Sequence, residues 1–394
     1  MNSTSGTLVP SKSDGSLSRL DISKLVLTLT DSPKELPPPE TLKFGATFTD
    51  HMAIATFNPS KGWSAPEIKP YSPISLDPAS SCLQYSSTCF EGMKASKAYH
   101  GVDGSVRLYR PDMNMRRLER SAQRLALPAF DGDDVLELIK RLVMVDKRWI
   151  PSSSGYSLYI RPTVIGTRSE LSVSASDHAI LFIIMSPSGP YFPQGLRPVS
   201  LLAVGENVRA WPGGTGSHKV GGNYSPGFLP QQIASSQGYD QVLWLFGNDA
   251  QVTEAGGMNF VVIIKQEGCD DYDFITAPLD GTILPGVTRS SCLSLAGDPS
   301  FQQATSLRLR TVERVYSMQD LTEWFTQGRL LEALCIGTAA IVAAVNKIAF
   351  EGKVITLPEH EAGLGPVGMA LREKILAIQE GRDEYQGWSV TISE

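Results

Sequence analysis

The 394-residue sequence predicts a two-domain protein of mixed α/β (α+β) class. Its length corresponds to two domains when each domain takes about 150 residues. Short runs rich in β-branched residues follow segments of helical periodicity, and this mixture is typical of the class. Apolar residues make up 42% of the chain, which is enough to fill a sizeable core.

The individual elements are predicted from periodicity and from the residues at their boundaries. In the second helix Val135, Leu138 and Leu142 recur at helical spacing behind a pair of acidic residues. The helix from Met318 begins with a pattern close to a capping box, and the helix from Pro366 begins with proline. The predicted helices are 112–127, 133–149, 318–326 and 366–379, and the predicted strands are 156–165, 180–185, 199–204, 241–246 and 260–265.

Composition divides the chain into four parts. Residues 1–41 are rich in Ser, Thr and Pro and end near a run of prolines, which predicts a mobile N-terminal tail. A segment with prolines and glycines but no periodicity predicts an interdomain connector at residues 191–200. We therefore expect a smaller α/β domain at 42–190 and a larger domain at 201–394.

Charge and hydropathy exclude two classes of partner. The formal net charge is −6 and no block of like charges occurs, so we expect binding neither to nucleic acid nor to an anionic membrane surface. The longest nearly uncharged apolar stretches, 179–185 and 333–345, are shorter than the ~20 residues of a membrane helix. These features indicate a soluble globular protein.

Cysteine and histidine usage bears on the compartment and on metals. The five cysteines are odd in number and widely spaced, which favours reduced thiols in a cytosol-like compartment. The five histidines form no cluster with metal-ligand spacing, so no metal site is expected. A mitochondrial presequence remains an alternative to a cytoplasmic location, although Asp14 and Asp21 are atypical of such segments.

Residues 209–224 carry the densest set of candidate functional groups. Lys219 lies between the glycine pairs 213–214 and 221–222, with Arg209 upstream and Tyr224 downstream. A P-loop would need Ser or Thr after the lysine, where Val220 stands. The dinucleotide fingerprint and the GxSxG hydrolase motif also fail, each by one glycine.

Two interpretations of Lys219 are then open. It is either a solvated residue of a surface loop or an amine that forms a Schiff base with an aldehyde cofactor. Such a cofactor needs a carboxylate for its pyridine nitrogen, exposed amides for its phosphate and a donor for its phenolate. Glu254 and Tyr224 supply the first and the last, and the turns 284–289 and 337–339 supply amides and hydroxyls.

A set of motifs in one order makes the sequence resemble the eukaryotic-type branched-chain amino-acid aminotransferases. The motifs include Phe90-Glu-Gly-Met-Lys-Ala95, Asn114-Met-Arg-Arg117, Tyr159-Ile-Arg161-Pro162, Lys219-Val-Gly-Gly-Asn-Tyr224, Leu284-Pro-Gly-Val287 and Gly337-Thr338-Ala339. The resemblance covers about residues 42–385. It implies the fold of the fold-type IV pyridoxal-phosphate enzymes, which is also that of D-amino-acid aminotransferase, with the cofactor bound in the larger domain.

The resemblance also implies roles for the cofactor-binding residues. Lys219 would form the Schiff base with pyridoxal 5′-phosphate and then act as the catalytic base. Glu254 would pair with the pyridine nitrogen, Tyr224 with the phenolate oxygen, and Arg117 with the phosphate. The full set implied to contact or support the cofactor is Arg117, Arg209, Lys219, Tyr224, Glu254, Val287, Thr288 and Thr338.

A second set is implied to bind the substrate. Arg161 would receive the distal carboxylate of glutamate or 2-oxoglutarate, while Leu171 and Val173 would reach across from a partner subunit, which implies a homodimer. The full set is Phe44, Tyr85, Phe90, Tyr159, Arg161, Leu171, Val173, Tyr191, Gly257 and Ala339. Taken singly, each aromatic in this set is also compatible with ordinary core packing.

Two departures from the family pattern have consequences. Gly257 stands where relatives carry Thr or Ala facing the substrate, so we expect a pocket that accepts side chains bulkier than leucine. Ala340 and Ala343 stand where some relatives carry a CxxC redox pair, so no thiol switch is expected there.

The implied reaction is ping-pong transamination between branched-chain or related apolar L-amino acids and 2-oxoglutarate. One alternative is a paralogue that supplies an unusual 2-amino acid to a secondary-metabolite pathway. Others are a lyase or D-amino-acid aminotransferase on the same fold, and a catalytically silent phosphate-ligand-binding protein.

Overall fold

The computed structural model describes residues 18–97, 104–191 and 195–392. Residues 1–17 of the expected tail, 192–194 of the expected connector and 393–394 at the C-terminus lie outside the described residues. Among the described helices, none is long and apolar enough to cross a membrane.

Strands dominate the structure and helices cover them. In chain order the described strands are β1 (Val26–Leu27), β2 (His51–Asn58), β3 (Gly62–Trp63), β4 (Glu67–Pro70), β5 (Thr88–Phe90), β6 (Met93–Lys97), β7 (Val106–Tyr109), β8 (Ser157–Gly166), β9 (Ala179–Ser188), β10 (Val199–Val204), β11 (Gln241–Phe246), β12 (Gln251–Ala255), β13 (Met258–Lys265), β14 (Tyr272–Thr276), β15 (Leu309–Glu313), β16 (Leu330–Gly337), β17 (Ile341–Phe350), β18 (Lys353–Thr356) and β19 (Ser389–Ile392). The α-helices are α1 (Ser81–Tyr85), α2 (Pro111–Arg124), α3 (Gly132–Val145), α4 (Phe228–Ser236), α5 (Val287–Ala296), α6 (Pro299–Thr305), α7 (Met318–Thr326) and α8 (Pro366–Gln379). Short 3-10 turns cover Ile22–Lys24, Pro39–Thr41, Lys147–Trp149, Gly221–Asn223 and Ser225–Gly227.

The N-terminal half forms a ten-stranded sheet whose main path is β1-β4-β2-β9-β8-β6-β7-β19. Its longest strands, β8 and β9, pair antiparallel over their whole length. Helices α2 and α3 cover the sheet, and Leu118, Leu138 and Leu142 are buried with the sheet residues in one apolar core. The helical spacing of Leu138 and Leu142 predicted a buried apolar face on α3.

The C-terminal half forms a nine-stranded sheet that closes on itself. The path β12-β11-β10-β17-β16-β13 returns to β12, because β12 pairs with both β11 and β13. In the tight β12–β13 hairpin Glu254 lies opposite Asn259. Closure removes sheet edges from this ring and places the hairpin next to the turn that links β16 and β17.

Every helix and strand predicted from the sequence is present, with differences at the ends. Helices α7 and α8 have the predicted bounds, and the capping box of α7 forms between Ser317 and Asp320. The helix expected to reach Trp149 ends at Val145, because Asp146 leaves helical geometry and its carboxylate binds His51. A 3-10 turn follows at Lys147–Trp149.

Two expected boundaries differ from the structure. Within the expected tail of residues 1–41, the part from Ser18 onward packs on the domain: Leu20 is buried in its core and β1 pairs in parallel with β4. Strand β19 lies within the expected larger domain of residues 201–394 but belongs to the N-terminal sheet, because it pairs with β7. Both corrections have the same physical reason, which is that apolar residues at the chain ends fill the core of the smaller domain.

Candidate active site

Lys219 lies at the end of the loop that follows β10, against the smaller domain. Its backbone is held on both sides, since its N–H donates to Ser121 Oγ at 2.9 Å and its carbonyl accepts from Phe90 N at 3.1 Å. The half-buried side chain donates from Nζ to the hydroxyl of Tyr224 at 3.1 Å. The amine also lies 4.9 Å from the ring centroid of Phe90. Lys219 is therefore a positioned amine and not a solvated loop residue.

Glu254 is a buried carboxylate held by groups from three segments. Arg209 Nε pairs with its Oε2 at 2.8 Å, and Leu284 N and Asn259 Nδ2 donate to its Oε1 at 2.8 and 3.0 Å. Arg209 is itself anchored on the carbonyl of Thr282. Burial raises the pKa of the Glu254 carboxyl, and the Arg209 guanidinium opposes that shift.

Arg117 lies on α2 and is oriented by Glu91. Its Nε and Nη2 donate to the two oxygens of the Glu91 carboxylate at 2.6 and 2.8 Å, and Asn114 donates to the same carboxylate. Burial alone would raise the pKa of Glu91, but Arg117 holds it below its usual value. The remaining Nη1 donates to the carbonyl of Pro285 at 3.0 Å, next to the start of α5.

The N-terminus of α5 and the β16–β17 turn complete this end of the site. Helix α5 begins at Val287 with Gly286 as its N-cap, and no side chain caps its first amides. Val287, Thr288 and Thr338 line the same cleft as Arg117. Free amides at a helix N-terminus beside an arginine form an anion-binding arrangement.

These groups meet in one cleft, which opens to solvent and has a cavity volume of about 40 Å³. Lys219 and Glu254 line it together with the α5 amides and Arg117. The cleft thus has a carboxylate, an amine and an anion-binding end. This arrangement can hold a planar, phosphorylated ring and place a base beside it.

Most of the aromatic residues predicted to bind substrate lie in one continuous group. Phe44 packs edge-on against Tyr159 with ring centroids 4.7 Å apart, and Phe90 packs against Tyr224 at 5.1 Å. Arg161 connects the two pairs, with its guanidinium 4.6 Å from the Phe90 ring and 5.3 Å from the Tyr159 ring. Its Nε is buried without a hydrogen-bond partner among the described residues, so the guanidinium has donor capacity to spare.

Tyr85, Leu171 and Val173 form a separate, exposed group. The hydroxyl of Tyr85 donates to the carbonyl of Leu171, while the Leu171 and Val173 side chains are 66% and 88% exposed. Apolar side chains this exposed leave most of their surface in water, which is typical of an interaction site. Within the described residues, the structure does not bring this group together with Lys219.

Tyr191 and Ala339 line a second cavity and not the cleft around Lys219. This cavity also contains Lys94 and Arg372. Ala339 follows Thr338 directly, so the two spaces adjoin at the β16–β17 turn. The amine of Lys94 donates to the carbonyl of Ala339 at 3.0 Å.

Gly257 lies in the β12–β13 turn and lines the cleft beside Glu254. A Cβ built on Gly257 would have only Tyr224 Cε1 nearby, at 4.0 Å. Its neighbour Gly256 is different, because it has a φ of +54° and a Cβ there would collide with the Gln241 amide. The turn therefore favours glycine at 256 and has room for a Cβ at 257.

Three polar residues that organise the site were not among the predicted site residues. Asn259 donates to both Glu254 and the Leu284 carbonyl, Glu91 orients Arg117, and Ser121 fixes the backbone of Lys219. Glu91 directly follows the predicted residue Phe90, and Asn259 lies two residues after the predicted residue Gly257. This proximity in sequence is the only signal that pointed to them. Ser121 gave none, because its role depends on helix α2 packing against the Lys219 loop.

Comparison with known proteins relates the chain to an enzyme family. The family described as Amino-transferase class IV matches residues 88–348. A protein of Saccharomyces cerevisiae named branched-chain-amino-acid aminotransferase, cytosolic, is 43% identical over 96% of this chain and 99% of its own length. A mitochondrial branched-chain-amino-acid aminotransferase of Bos taurus is 44% identical over 93% of this chain and 91% of its own.

Solved structures share the fold at lower identity. The branched-chain aminotransferase of Thermoproteus uzoniensis, determined with norvaline, superposes with a TM-score of 0.67 at 22% identity, covering 87% of this chain and 100% of that chain. The branched-chain amino acid aminotransferase of Escherichia coli has a TM-score of 0.64 at 21% identity, covering 86% and 99%.

Proposed function

The chain belongs to the class IV aminotransferase family, and on that premise we propose that it transfers amino groups between branched-chain L-amino acids and 2-oxoglutarate with pyridoxal phosphate as its cofactor. The observation that carries the proposal is the convergence of Lys219, Glu254 and the anion-binding end in one cleft. Relatives named branched-chain-amino-acid aminotransferase match nearly the full length of the chain. Their names supply the substrate class.

The residues of the cleft fit this cofactor. The Lys219 amine suits an aldehyde carbon, the buried Glu254 carboxylate suits a pyridine nitrogen, and the α5 amides with Arg117 suit a phosphate. When bound, pyridoxal phosphate supplies an electron sink that makes the Cα–H bond of an amino acid acidic.

The chain's own groups then have distinct tasks. Lys219 is the group placed to take and return the Cα proton, since its amine lies in the cleft and is held by Tyr224. Glu254 would remain ionised beside a cationic ring nitrogen, because Arg209 and the Leu284 amide stabilise its charge. Arg209 therefore acts through Glu254 and not by direct contact with the reacting atoms.

We propose that the group of Phe44, Phe90, Tyr159 and Arg161 binds the substrate side chain. The aromatic faces suit the apolar side chain of leucine, isoleucine or valine. The spare donors of Arg161 suit the distal carboxylate of glutamate, which would explain how one pocket accepts both kinds of substrate.

We also propose a homodimer in which Leu171 and Val173 cover the partner's pocket. Their exposure supports this, because a monomer would leave both side chains in water. Val173→Asp should shift the sedimentation coefficient from that of a dimer to that of a monomer and raise KM. The exposed Thr391→Asp serves as the control, and a monomeric wild type would contradict the proposal.

Relatives named as cytosolic and as mitochondrial both match this chain closely. We propose a cytosolic location, because the cysteines are free thiols, which is typical of a reducing compartment. A C-terminal fluorescent fusion that co-localises with a mitochondrial marker would contradict it.

The decisive experiment compares wild type with Lys219→Ala after reconstitution with pyridoxal phosphate. Wild type should show a near-visible absorbance band that borohydride abolishes, and should convert L-leucine with 2-oxoglutarate while leaving D-leucine untouched. Lys219→Ala should lose the borohydride-sensitive band and about 10²–10⁴-fold or more of kcat. The exposed Lys353→Ala is the matched control and should behave as wild type.

Two outcomes would favour other functions. Preference for D-leucine would indicate a D-amino-acid aminotransferase on the same fold. Cofactor binding without any amino transfer would indicate a silent binding protein.

A further inference from the structure

The chain between Thr30 and His51 forms a loop whose two ends are hydrogen-bonded to each other. The backbone N–H of Thr30 donates to Nε2 of His51 at 2.9 Å, and this bond closes the base of the loop. We call this segment the 30–51 loop. Its tip carries Phe44, whose ring packs on that of Tyr159 in the proposed substrate pocket.

The stretch between the base and the tip has few contacts with the rest of the protein. Residues 35–47 are mostly exposed, and among the described residues every hydrogen bond that they make stays within this stretch. At the tip, Phe44 packs on Tyr159, and the carbonyl of Leu42 approaches Gly189. A segment with so few external bonds opens easily, so the position of Phe44 depends on how the base is held.

One connection at the base consists of groups that keep their charge. The N–H of Lys34 donates to Asp50 Oδ1 at 2.9 Å, and Arg148 Nη2 donates to the Lys34 carbonyl at 2.6 Å. Burial alone would raise the pKa of Asp50, but hydrogen bonds from Trp149, Lys34 and Arg148 hold it below its usual value. This connection therefore does not change with pH between about pH 5 and 8.

The other connection is a buried histidine whose tautomer is determined by its two neighbours. Nδ1 of His51 lies 2.7 Å from Asp146 Oδ1, and Nε2 faces the N–H of Thr30. A carboxylate can only accept and a backbone amide can only donate, so the proton is on Nδ1 and Nε2 is the acceptor. The ring of His51 is therefore neutral while the loop is closed.

Protonation of His51 is incompatible with the closed base. The added proton would lie on Nε2 and face the N–H of Thr30, donor against donor. The carboxylate of Asp146 would stabilise the imidazolium, because it lies against Nδ1. Opening of the loop therefore takes up a proton, and a falling pH favours opening.

Other charged groups around the ring do not reverse this direction. Asp50 and Arg148 pair with each other at 2.7 Å, which leaves Asp146 as the carboxylate that contacts the ring. The charged residues on the elements next to His51 are Asp31 and Lys34 in the loop, Asp50 before β2, Lys69 on β4, and Asp146 and Arg148 after α3.

We propose that His51 is a positioning residue: its neutral ring closes the 30–51 loop and keeps Phe44 in the proposed substrate pocket, and its protonation opens the loop. The inference deepens the proposed function, since it makes the binding of apolar amino acids depend on pH. Only its kinetic test rests on that function, because the closure of the loop is measured separately.

Two substitutions separate the two faces of the ring. His51→Gln puts an acceptor near the position of Nε2 and has no group that titrates, whereas His51→Asn keeps a donor near Nδ1 and leaves Thr30 without its acceptor. Hydrogen exchange of the holoenzyme, followed by mass spectrometry at about pH 8 and about pH 5.5, reports on the loop. Each variant is compared with wild type at the same pH, because exchange itself depends on pH.

The two variants should differ in opposite ways from wild type. At about pH 8, wild type and His51→Gln should protect the 30–51 loop, and His51→Asn should exchange there about fivefold faster or more, since one hydrogen bond is lost. At about pH 5.5, wild type should exchange like His51→Asn, while His51→Gln should stay protected.

The kinetic measurement is KM for leucine, with kcat as its internal reference. Opening of the loop should raise KM about fivefold or more and change kcat little, because Phe44 contacts the substrate side chain and not the reacting atoms. His51→Asn should show the higher KM at both pH values. Relative to His51→Gln, wild type should show it only at the lower one.

Two further variants complete the test. Thr30→Pro removes the same N–H without changing His51 and should behave as His51→Asn at both pH values, which covers the case in which a variant of the buried histidine folds poorly. His360→Gln replaces an exposed histidine of the larger domain and should behave as wild type.

Equal loop exchange in wild type and His51→Gln at about pH 5.5 would overturn the proposal, because protonation would then not open the loop. Full protection of the loop in both His51→Asn and Thr30→Pro would also overturn it. A loop that opens while KM for leucine stays constant would contradict the role of His51 in positioning Phe44. Opening as expected in a protein that does not transaminate leucine would count against the proposed function and support the closure of the loop by His51.

Discussion

At the scale of single residues, three polar partners fix the position of the Glu254 carboxylate. Arg209, Asn259 and the Leu284 amide approach it from a loop, a strand and a turn. Each partner alone would provide a modest interaction, but together they satisfy a charge that burial would otherwise make costly. The position of the carboxylate is therefore determined before any ligand binds.

Gly257 supports a prediction about substrate size. Because a Cβ at 257 would meet only the edge of Tyr224, we expect Gly257→Thr to be accommodated in the turn and to narrow the cleft. We expect kcat/KM for 2-aminooctanoate to fall about tenfold or more relative to leucine, with leucine little changed. Steady-state kinetics on both substrates measures this ratio.

The control for that substitution is Gly205→Thr, which adds the same side chain where the structure has open space. It should leave the ratio at the wild-type value. Equal discrimination by wild type and Gly257→Thr would show that the glycine does not set the size of the pocket.

At the scale of elements, the start of α7 depends on one reciprocal pair. Ser317 Oγ accepts from Asp320 N, and Asp320 Oδ2 accepts from Ser317 N at 2.7 Å. Ser317→Ala should lower the free energy of unfolding by about 1 kcal/mol, because an amide of the first turn loses its acceptor. Urea denaturation followed by circular dichroism is the measurement.

Gln319→Ala is the matched control for the cap, since Gln319 is exposed in the same first turn. Its effect should stay within about 0.5 kcal/mol. If both variants lose the same stability, the capping box does not contribute.

The β16–β17 region supports a prediction about oxidation. Ala340 and Ala343 are buried where a thiol pair would be needed, and burial raises the pKa of the nearby Cys335 thiol to about 12. Peroxide should therefore not inactivate the enzyme reversibly, since a thiol of high pKa is unreactive. Activity after peroxide, with and without dithiothreitol, measures this.

Labelling identifies any cysteine that does react. Native protein should be modified first at Cys269, the exposed cysteine, and Cys269→Ser should remove that signal. Recovery of lost activity by dithiothreitol in Cys269→Ser would contradict the prediction.

At the scale of the whole molecule, the chain returns to the domain in which it began. Strand β19 pairs with β7, and Ile392 is buried in the core of the smaller domain. The segment from α8 to β19 therefore contributes to both domains. Helix α8 packs in the core of the larger domain, and β19, which follows it, pairs with the sheet of the smaller domain.

Ile392→Ala should destabilise the smaller domain by about 2–3 kcal/mol. This value is near the low end of the range for truncating a buried isoleucine to alanine, because β19 is an edge strand of its sheet. Thr391→Ala, on the opposite face of the same strand, should be nearly neutral. Hydrogen exchange at β7 amides reports the effect locally. If the β7 amides were equally protected from exchange in Ile392→Ala and Thr391→Ala, the strand would be held by its backbone hydrogen bonds and not by the Ile392 side chain.

The sequence by itself predicted four helices and five strands that the structure contains, together with the motifs that surround Lys219. Periodicity and capping residues act locally, so α7 and α8 could be predicted to the residue. The motif order also predicted a carboxylate, an amine and an anion-binding end for the site, and the structure brings these groups into one cleft.

Tertiary structure alone decided how those turns meet. The closure of the sheet through β12 and β13 and the return of β19 join residues that are far apart in the chain. No local pattern encodes such pairings, since they follow from which apolar faces are buried together. Ser121 and Tyr191 show this most clearly, because their places depend on packing between elements and not on their neighbours in sequence.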